Sequence, residues 1–420
     1  MSPAGSFQGA DASDCAEAIA SSSNAFRGWS QTSPLERRSL LLRLSRLLLQ
    51  REDEAKRIIR AEIHCSEDWA ARNVSDSVAL IEETASLITS NTMSGSIPHT
   101  ELKDSAVVAP IAAGNTAILK GSELSPRTHH FIAQLFVEAE FPPGVVNLIL
   151  HRPEDAAEVV ETLIKHPSIR KVNFTGSTTV GRIIAQMAGQ ALKPVLLELG
   201  GKNCSIILPD ADTAKAAETI LQGATLNGGQ ICMSTDLAIV SREVADDFKT
   251  ELQQALSKKY GTSYKVISSN SATRSRTLSD DAVAKGSKVT SSFDSSEGHS
   301  NTQVVPILLI ENVLPTMEFF SMESFGPMLG VVVVSDEDEA ILMANASDYG
   351  LSASIWTKDH YRALGLARKL DVGAVHINAS TVHDEATLPH GGNKASGFGR
   401  FGAEWGLREF VQTQTITLHP

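Results

Sequence analysis

Between residues 107 and 208, short apolar runs alternate with helix-patterned ones, and this alternation constrains the fold more than any other feature of the chain. Residues 116–119, 145–150 and 169–174 read as strands, and residues 127–139 and 156–166 as the helices between them. Strands interleaved with helices of this length build a parallel, doubly wound α/β sheet. Further on, helix-like runs at 214–226, 244–259, 336–345 and 360–370 are interleaved with strand-like runs at 237–240, 328–334, 351–356 and 374–378. Ahead of the alternation the chain reads as helical. Ser33 and Glu36 have the spacing of a capping box, with Pro34 at the first helical position. Leu40, Leu41, Leu44, Leu47 and Leu48 then follow the 3.6-residue period, which predicts a helix facing a core. Residues 261–302 are rich in Ser, Thr, Asp and Asn, and read as a long surface segment, partly disordered, with helix only near 278–284.

A chain of 420 residues is long enough for two or three domains. With 37 basic against 49 acidic residues it lacks the charge of a general nucleic-acid binder. Cys15, Cys65, Cys204 and Cys232 are widely spread without a Cys-x-x-Cys pair, which supports neither a disulfide framework nor a zinc site, so no metal is expected. The first residues are polar, with Asp11 and Asp14, unlike a signal peptide. No apolar run has bilayer length. A soluble, cytoplasmic chain without a membrane partner is the expectation.

Two stretches carry chemistry. Glu198-Leu199-Gly200-Gly201-Lys202 sets a carboxylate beside two glycines, and Asn227-Gly228-Gly229-Gln230-Ile231-Cys232-Met233 sets a thiol after two more. Glycine lets backbone come close to a ligand. A carboxylate can take a proton from a thiol or from water, and a thiolate is a strong nucleophile. By residue type alone, a lone Cys such as Cys232 is usually a small buried hydrophobe, and Glu198 could be a helix-end or turn residue. Three other segments are ambiguous in the same way. Lys120 to Pro126 reads as a solvated turn before a helix. Thr175-Gly176-Ser177-Thr178-Thr179-Val180-Gly181 joins a strand to a helix N-terminus, a place where free N–H groups and the helix dipole favour phosphate. Glu323-Ser324-Phe325-Gly326-Pro327 reads as a tight turn before a core strand.

Together these motifs resemble the aldehyde dehydrogenase superfamily, whose active-site pair reads Glu-Leu-Gly-Gly-Lys and Gly-Gln-x-Cys. The resemblance extends from about residue 16 to 419. It implies a Rossmann-like doubly wound cofactor domain over 1–200, an α/β catalytic domain over 201–385, and a return with a C-terminal oligomerisation strand over 386–420. It implies Cys232 as the nucleophile on an aldehyde and Glu198 as the base that releases a carboxylic acid. The cofactor implied is NAD(P), and NAD in particular: Lys120 and Glu123 match the residues at the adenosine ribose, where a carboxylate repels a 2′-phosphate. Gly176, Ser177 and Gly181 match the turn near the pyrophosphate, and Glu323 and Phe325 match the residues beside the nicotinamide and its ribose. The loop from Pro389 to Arg400, followed by Phe401-Gly402, is most similar to the branch that oxidises aromatic aldehydes such as salicylaldehyde and vanillin. The alternating run at 410–418 is expected to pair with a second copy in a homodimer or homotetramer.

One departure stands out. Family members carry a strand ending in Pro-Trp-Asn before the Ala-Ala-Gly-Asn turn, whereas here Lys103-Asp104-Ser105 runs directly into Ala106. An oxyanion donor and one sheet strand are thereby expected to be missing, leaving the backbone N–H of Cys232 as a donor. Two alternative readings follow, a catalytically impaired relative and a Cys/Glu thioesterase.

Overall fold

The computed structural model of the chain describes residues 9–89, 107–259, 261–293 and 303–419. Four helices open it: α1 (Ala12–Trp29), α2 (Pro34–Gln50), α3 (Glu52–Ile63) and α4 (Glu67–Leu87). Pro34 is the first residue of α2, and the Ser33 hydroxyl accepts from the Glu36 N–H at 3.2 Å. The reciprocal capping box forms instead at the start of α1, between Asp11 and Asp14. Leu40, Leu41, Leu44 and Leu48 are buried in one core with Val74, Val78, Ile81 and Ala85 of α4, whose spacing follows the same helical period. The short helix α5 (Val108–Ala112) closes this core, and the Trp29 indole N–H donates to the carbonyl of Ile111 at 3.2 Å. Each fully buried Leu, Ile or Phe contributes roughly 1.5–3 kcal/mol, so this cluster alone can hold the helices against the sheet that follows.

That sheet is small. β1 (Ala117–Lys120) pairs in parallel with β2 (Val146–Ile149) across α6 (Pro126–Glu138). After α7 (Ala156–Lys165), β3 (Val172–Thr175) pairs in parallel with β4 (Val195–Glu198) across α8 (Thr178–Gln190). The single sheet expected over 107–208 is therefore divided, because among the described residues no strand joins β1 to β3 and β5 joins another sheet. All four residues of β1 are only half-buried and none of β3 is buried, whereas parallel strands are normally covered on both faces. The Lys103 to Ala106 junction lies outside the described residues.

The next strand, β5 (Asn203–Ile207), joins a second and larger sheet. With it run β6 (Thr235–Ser241), β8 (Lys288–Ser291), β10 (Leu308–Glu311), β11 (Met328–Val334), β13 (Ser352–Trp356) and β14 (Ala374–Ile377), in the order β14-β13-β5-β6-β11-β10-β8. All pairs are parallel except β10 with β8. β11 shows the two-residue alternation: Leu329 and Val331 face α9 (Thr213–Thr225) and α10 (Ala245–Ser257), while Met328, Val332 and Val334 face the opposite core. That core is closed by α11 (Ser269–Ala284), α12 (Glu318–Ser321), α13 (Glu337–Asn345) and α14 (His360–Ala367).

α11 corrects the expectation of a mostly irregular 261–302. Ser268 caps it, and its buried stripe is Ala272, Ser275, Leu278 and Ala282, small residues that a hydrophobicity pattern under-weights. Beside it, β7 (Ser263–Lys265) pairs with β9 (Val304–Pro306).

The chain then returns to the first half. β12 (Tyr349–Gly350) pairs with β15 (Asn393–Lys394), and β16 (Gly397–Phe398) lies antiparallel to β4, with Gly397 opposite Glu198. Gly397 has φ +112, and a Cβ there would fall 2.1 Å from the Leu197 carbonyl oxygen, so only glycine fits. Helix α15 (Ala403–Arg408) follows. The terminal run expected as an edge strand has no strand within its own chain: residues 412–419 are exposed, Leu418 at 93%. A β-ladder needs a neighbour, and none of the described strands supplies one. No helix among the described residues is long and apolar enough to cross a membrane.

Candidate active site

The site forms where the carboxyl ends of β3 and β4 meet the amino ends of β5 and β6. Glu198 is the last residue of β4, and Leu199 to Lys202 carry the chain across to β5. The second loop begins with three consecutive left-handed residues, Asn227 (φ 51), Gly228 (φ 64) and Gly229 (φ 72), then runs through Cys232 into β6. The sulfur of Cys232, a carboxylate oxygen of Glu198 and a ring nitrogen of His390 all lie within 4.8 Å of one another. Cys232 is half-buried, whereas Cys15, Cys65 and Cys204 are buried. Sulfur and carboxylate are thus within reach of a bridging water.

The glycines of both motifs bring protein segment close to protein segment. A Cβ on Gly201 would meet the Cys232 carbonyl oxygen at 2.6 Å, one on Gly200 would meet the Glu323 carboxylate at 2.4 Å, and one on Gly229 would meet the Gly326 carbonyl oxygen at 2.0 Å. The three segments interlock because those side chains are absent.

Asn203, the first residue of β5, holds the thiol loop. Its Nδ2 donates to the carbonyls of Cys232 (2.8 Å) and Ser234 (2.9 Å), and its Oδ1 accepts from the Ser352 N–H (3.0 Å). Gln230 braces the same loop, accepting from the Ile267 N–H at 2.8 Å. Asn203 was not expected as part of the site. The amide-and-carbonyl spacing that makes Asn203 a clamp exists only once β5, β6 and β13 are side by side.

His390 is the second unexpected residue. Its Nε2 is 3.1 Å from Glu198 Oε1 and its Nδ1 is 3.5 Å from Asp384 Oδ2. Two backbone hydrogen bonds to Phe401 (2.8 and 2.7 Å) fix its position. The side chains of Glu198 and His390 are 5% and 12% exposed, so their interaction is only weakly screened by water.

Beneath the thiol lies a buried charged cluster. Lys202 Nζ sits 3.4 Å from Asp236 Oδ1 and 3.7 Å above the Phe319 ring. Burial lowers the Lys202 pKa and raises that of Asp236, each opposed by the other's charge. Glu323 Oε1 accepts from the Gly201 N–H at 3.1 Å. Burial pushes the Glu323 carboxyl up to about 7, against that hydrogen bond and with the Asp236 charge adding to the rise. Phe325, two residues on, is half-buried and in the left-handed region at φ 46.

The expected cofactor residues fall into two groups. Gly176 and Ser177 lie at the end of β3. The Gly176 N–H donates to the Glu198 carbonyl at 3.1 Å, and Ser177 caps α8 by accepting from the Val180 N–H at 3.3 Å. Gly181 is buried, and a Cβ there would meet Leu199 at 2.5 Å, so it serves helix–strand packing beside the site. Lys120 and Glu123 follow β1 in the other small sheet. Lys120 Nζ donates to His151 Nε2 at 2.8 Å; the His151 Nδ1–H donates to the Arg152 carbonyl, which leaves Nε2 as the acceptor. Burial lowers the Lys120 pKa, and the nearby Glu123 opposes this.

Comparison with known proteins follows the same geometry. The model of the aldehyde dehydrogenase family matches residues 2–108 and 101–416, two stretches that meet at the junction ahead of α5. The chain is similar to the vanillin dehydrogenase of Pseudomonas fluorescens, with 37% identity over 96% of this chain and 90% of that one. It is similar to the salicylaldehyde dehydrogenase of Pseudomonas putida, with 35% identity over 98% of this chain and 91% of that one. The crystal structure of a salicylaldehyde dehydrogenase from Pseudomonas putida G7 complexed with salicylaldehyde superposes with a TM-score of 0.91, at 35% identity, over 98% of this chain and 91% of that one. Further relatives are named for NAD or for NADP. These matches give no support to the impaired or thioesterase readings.

Proposed function

The chain belongs to the aldehyde dehydrogenase family, and we propose that it oxidises an aromatic aldehyde to the carboxylic acid through Cys232, with NAD as cofactor. As a member it is an NAD(P)-dependent oxidoreductase acting on an aldehyde. The observation that carries the mechanism is the half-buried sulfur within 4.8 Å of a buried carboxylate. The Cys232 thiolate, its proton released to solvent, attacks the aldehyde carbon. A nicotinamide dinucleotide, when bound, supplies the hydride acceptor. Loss of hydride leaves a thioester on Cys232, and Glu198 then takes a proton from the water that releases the acid. Splitting the oxidation into acylation and hydrolysis is the usual gain of covalent catalysis. His390, itself facing Asp384, hydrogen-bonds Glu198 and so positions the base.

The donor set fits such a dinucleotide. α8 offers a 13-residue helix N-terminus behind Gly176 and Ser177, suited to a pyrophosphate. Lys120 and Glu123 hold the adenosine ribose, and Glu123 disfavours a 2′-phosphate. Glu323 and Phe325 flank the nicotinamide end. On this reading residues 1–200 form the cofactor domain, 201–385 the catalytic domain and 386–420 the return. The exposed residues 412–419 pair with a second copy in a homodimer or homotetramer, and the enzyme is cytoplasmic.

The test is NADH formation by the full chain with salicylaldehyde, vanillin and an aliphatic aldehyde, with NAD and with NADP. Turnover faster on the aromatic substrates, and absent in Cys232→Ala, supports the reading. Turnover that survives Cys232→Ala overturns it.

A further inference from the structure

Glu198, Cys232 and His390 come from three segments far apart in sequence, yet they present a carboxylate oxygen, a sulfur and an imidazole nitrogen within 4.8 Å of one another. Among the described residues this is the one cluster of metal-ligating side chains so arranged. We propose that these three residues form a reversible inhibitory site for a thiophilic divalent cation of the zinc class, seated where the aldehyde carbonyl binds.

Zinc takes carboxylate, imidazole and thiolate ligands at about 2.0–2.3 Å in tetrahedral geometry, which sets the donor atoms about 3.3–3.6 Å apart. Glu198 Oε1 and His390 Nε2, at 3.1 Å, are already close to that spacing. The sulfur needs to move by no more than roughly 1–1.5 Å, within reach of a side-chain rotation. Three protein ligands leave the fourth position open to water. The soft thiolate and the imidazole favour zinc, cobalt or copper over magnesium or calcium.

The surroundings of His390 are those of a metal-binding histidine. Its Nε2 faces the cluster while Nδ1 lies 3.5 Å from the Asp384 carboxylate, and a carboxylate behind the distal nitrogen orients a zinc-bound imidazole. The backbone of His390 is held to Phe401 on both sides, so the ring is presented rather than recruited. On coordination the imidazole proton resides on Nδ1, where Asp384 accepts its hydrogen bond, and the thiol proton passes to buffer. The cation thus replaces one proton at sulfur and the Glu198–His390 hydrogen bond, with no redox change. Cys232 and Glu198 are both withdrawn from catalysis while it is bound.

The inhibitory consequence rests on the proposed catalytic role of Cys232, but the binding does not, and the experiment separates the two. Cobalt(II) chloride is titrated into the full chain and the thiolate-to-cobalt charge-transfer absorption is recorded. The expected result is one cobalt per chain, displaced by zinc, with zinc inhibition of NADH formation reversed by EDTA and weakened by excess aldehyde. In His390→Phe, cobalt affinity should fall at least about tenfold, the scale of losing a ligand's support. His390→Gln, which keeps a hydrogen-bond donor for Glu198, should show the same loss if the phenylalanine variant folds poorly. A band of unchanged affinity in both variants means binding by the cysteine alone and overturns the site. If cobalt binds as expected but no aldehyde is oxidised, the site stands and the catalytic reading falls.

Discussion

His390 Nε2 lies 3.1 Å from Glu198 Oε1 across a sequence separation of 192 residues. The pairing depends on the return of the chain onto β4: His390 is bridged to Phe401, and Gly397 stands opposite Glu198. The carboxylate proposed as the base is therefore tied to an imidazole that itself faces Asp384.

Replacing this histidine should loosen the base without removing it. In His390→Phe, kcat is expected to fall by about 10–100-fold, the scale on which positioned acid–base groups contribute, while KM for the aldehyde changes little. The pH–rate profile should change shape, and His390→Gln should recover part of the rate. Equal kcat and an unaltered profile in His390→Phe would remove the imidazole from the mechanism.

Glu323 supplies a pH test of stability. Its folded pKa is raised from 4.5 to about 7 by burial, so the folded state holds a proton that the unfolded state has released. The sign follows: its neutral form suits the fold below about pH 4.5, and stability is lost as pH rises toward 7. The full loss is up to about 3 kcal/mol. Denaturation of the wild type and of Glu323→Gln across this range should show a difference that grows with pH. A pH-independent difference would mean that Glu323 is ionised throughout.

Lys202 and Asp236 are a buried pair that ties the Glu198 loop to β6. Lys202→Met leaves a carboxylate buried without its countercharge, at a cost of about 3–5 kcal/mol. The double variant Lys202→Met/Asp236→Asn should recover more than half of that loss in urea denaturation. A double variant as unstable as the single one would show that packing around Phe319, rather than charge, dominates.

Thiol reactivity should be confined to one position. Burial pushes the Cys204 thiol up to about 12 and raises those of Cys15 and Cys65, while Cys232 is only half-buried. Limited iodoacetamide treatment followed by peptide mapping is expected to label Cys232 first, with loss of activity in step. Earlier labelling at Cys65 or Cys15 would contradict the description of the site.

Cofactor choice is expected to rest on Glu123. Glu123→Gln should narrow the preference for NAD over NADP by about tenfold or more, since the repelled 2′-phosphate would meet no charge. Unchanged ratios of kcat/KM for the two dinucleotides would assign the preference elsewhere.

The strongly periodic parts of the chain were readable in advance. The leucine stripe of α2, the apolar strand β11 and the two loops around Glu198 and Cys232 all lie where their residues indicated. Contacts made by the return of the chain were not readable. His390 sat in a recognised loop, but its distance to Glu198 depends on a pairing register no local pattern encodes. Asn203 looks like an ordinary strand start until three strands converge on its amide. α11 escaped because its buried face is alanine and serine. The divided sheet differs from the single one expected because no described strand lies between β1 and β3, and the terminal run finds no ladder partner among the described residues.

The central claim is that one sulfur is acylated and one carboxylate clears it. Stopped-flow NADH formation by Glu198→Gln, with saturating aromatic aldehyde and NAD, tests it most directly. The account predicts a burst approaching one NADH per chain, followed by a steady state slowed by at least about 100-fold, because acylation proceeds while hydrolysis lacks its base. A steady-state rate equal to that of the wild type, with no burst, would contradict it.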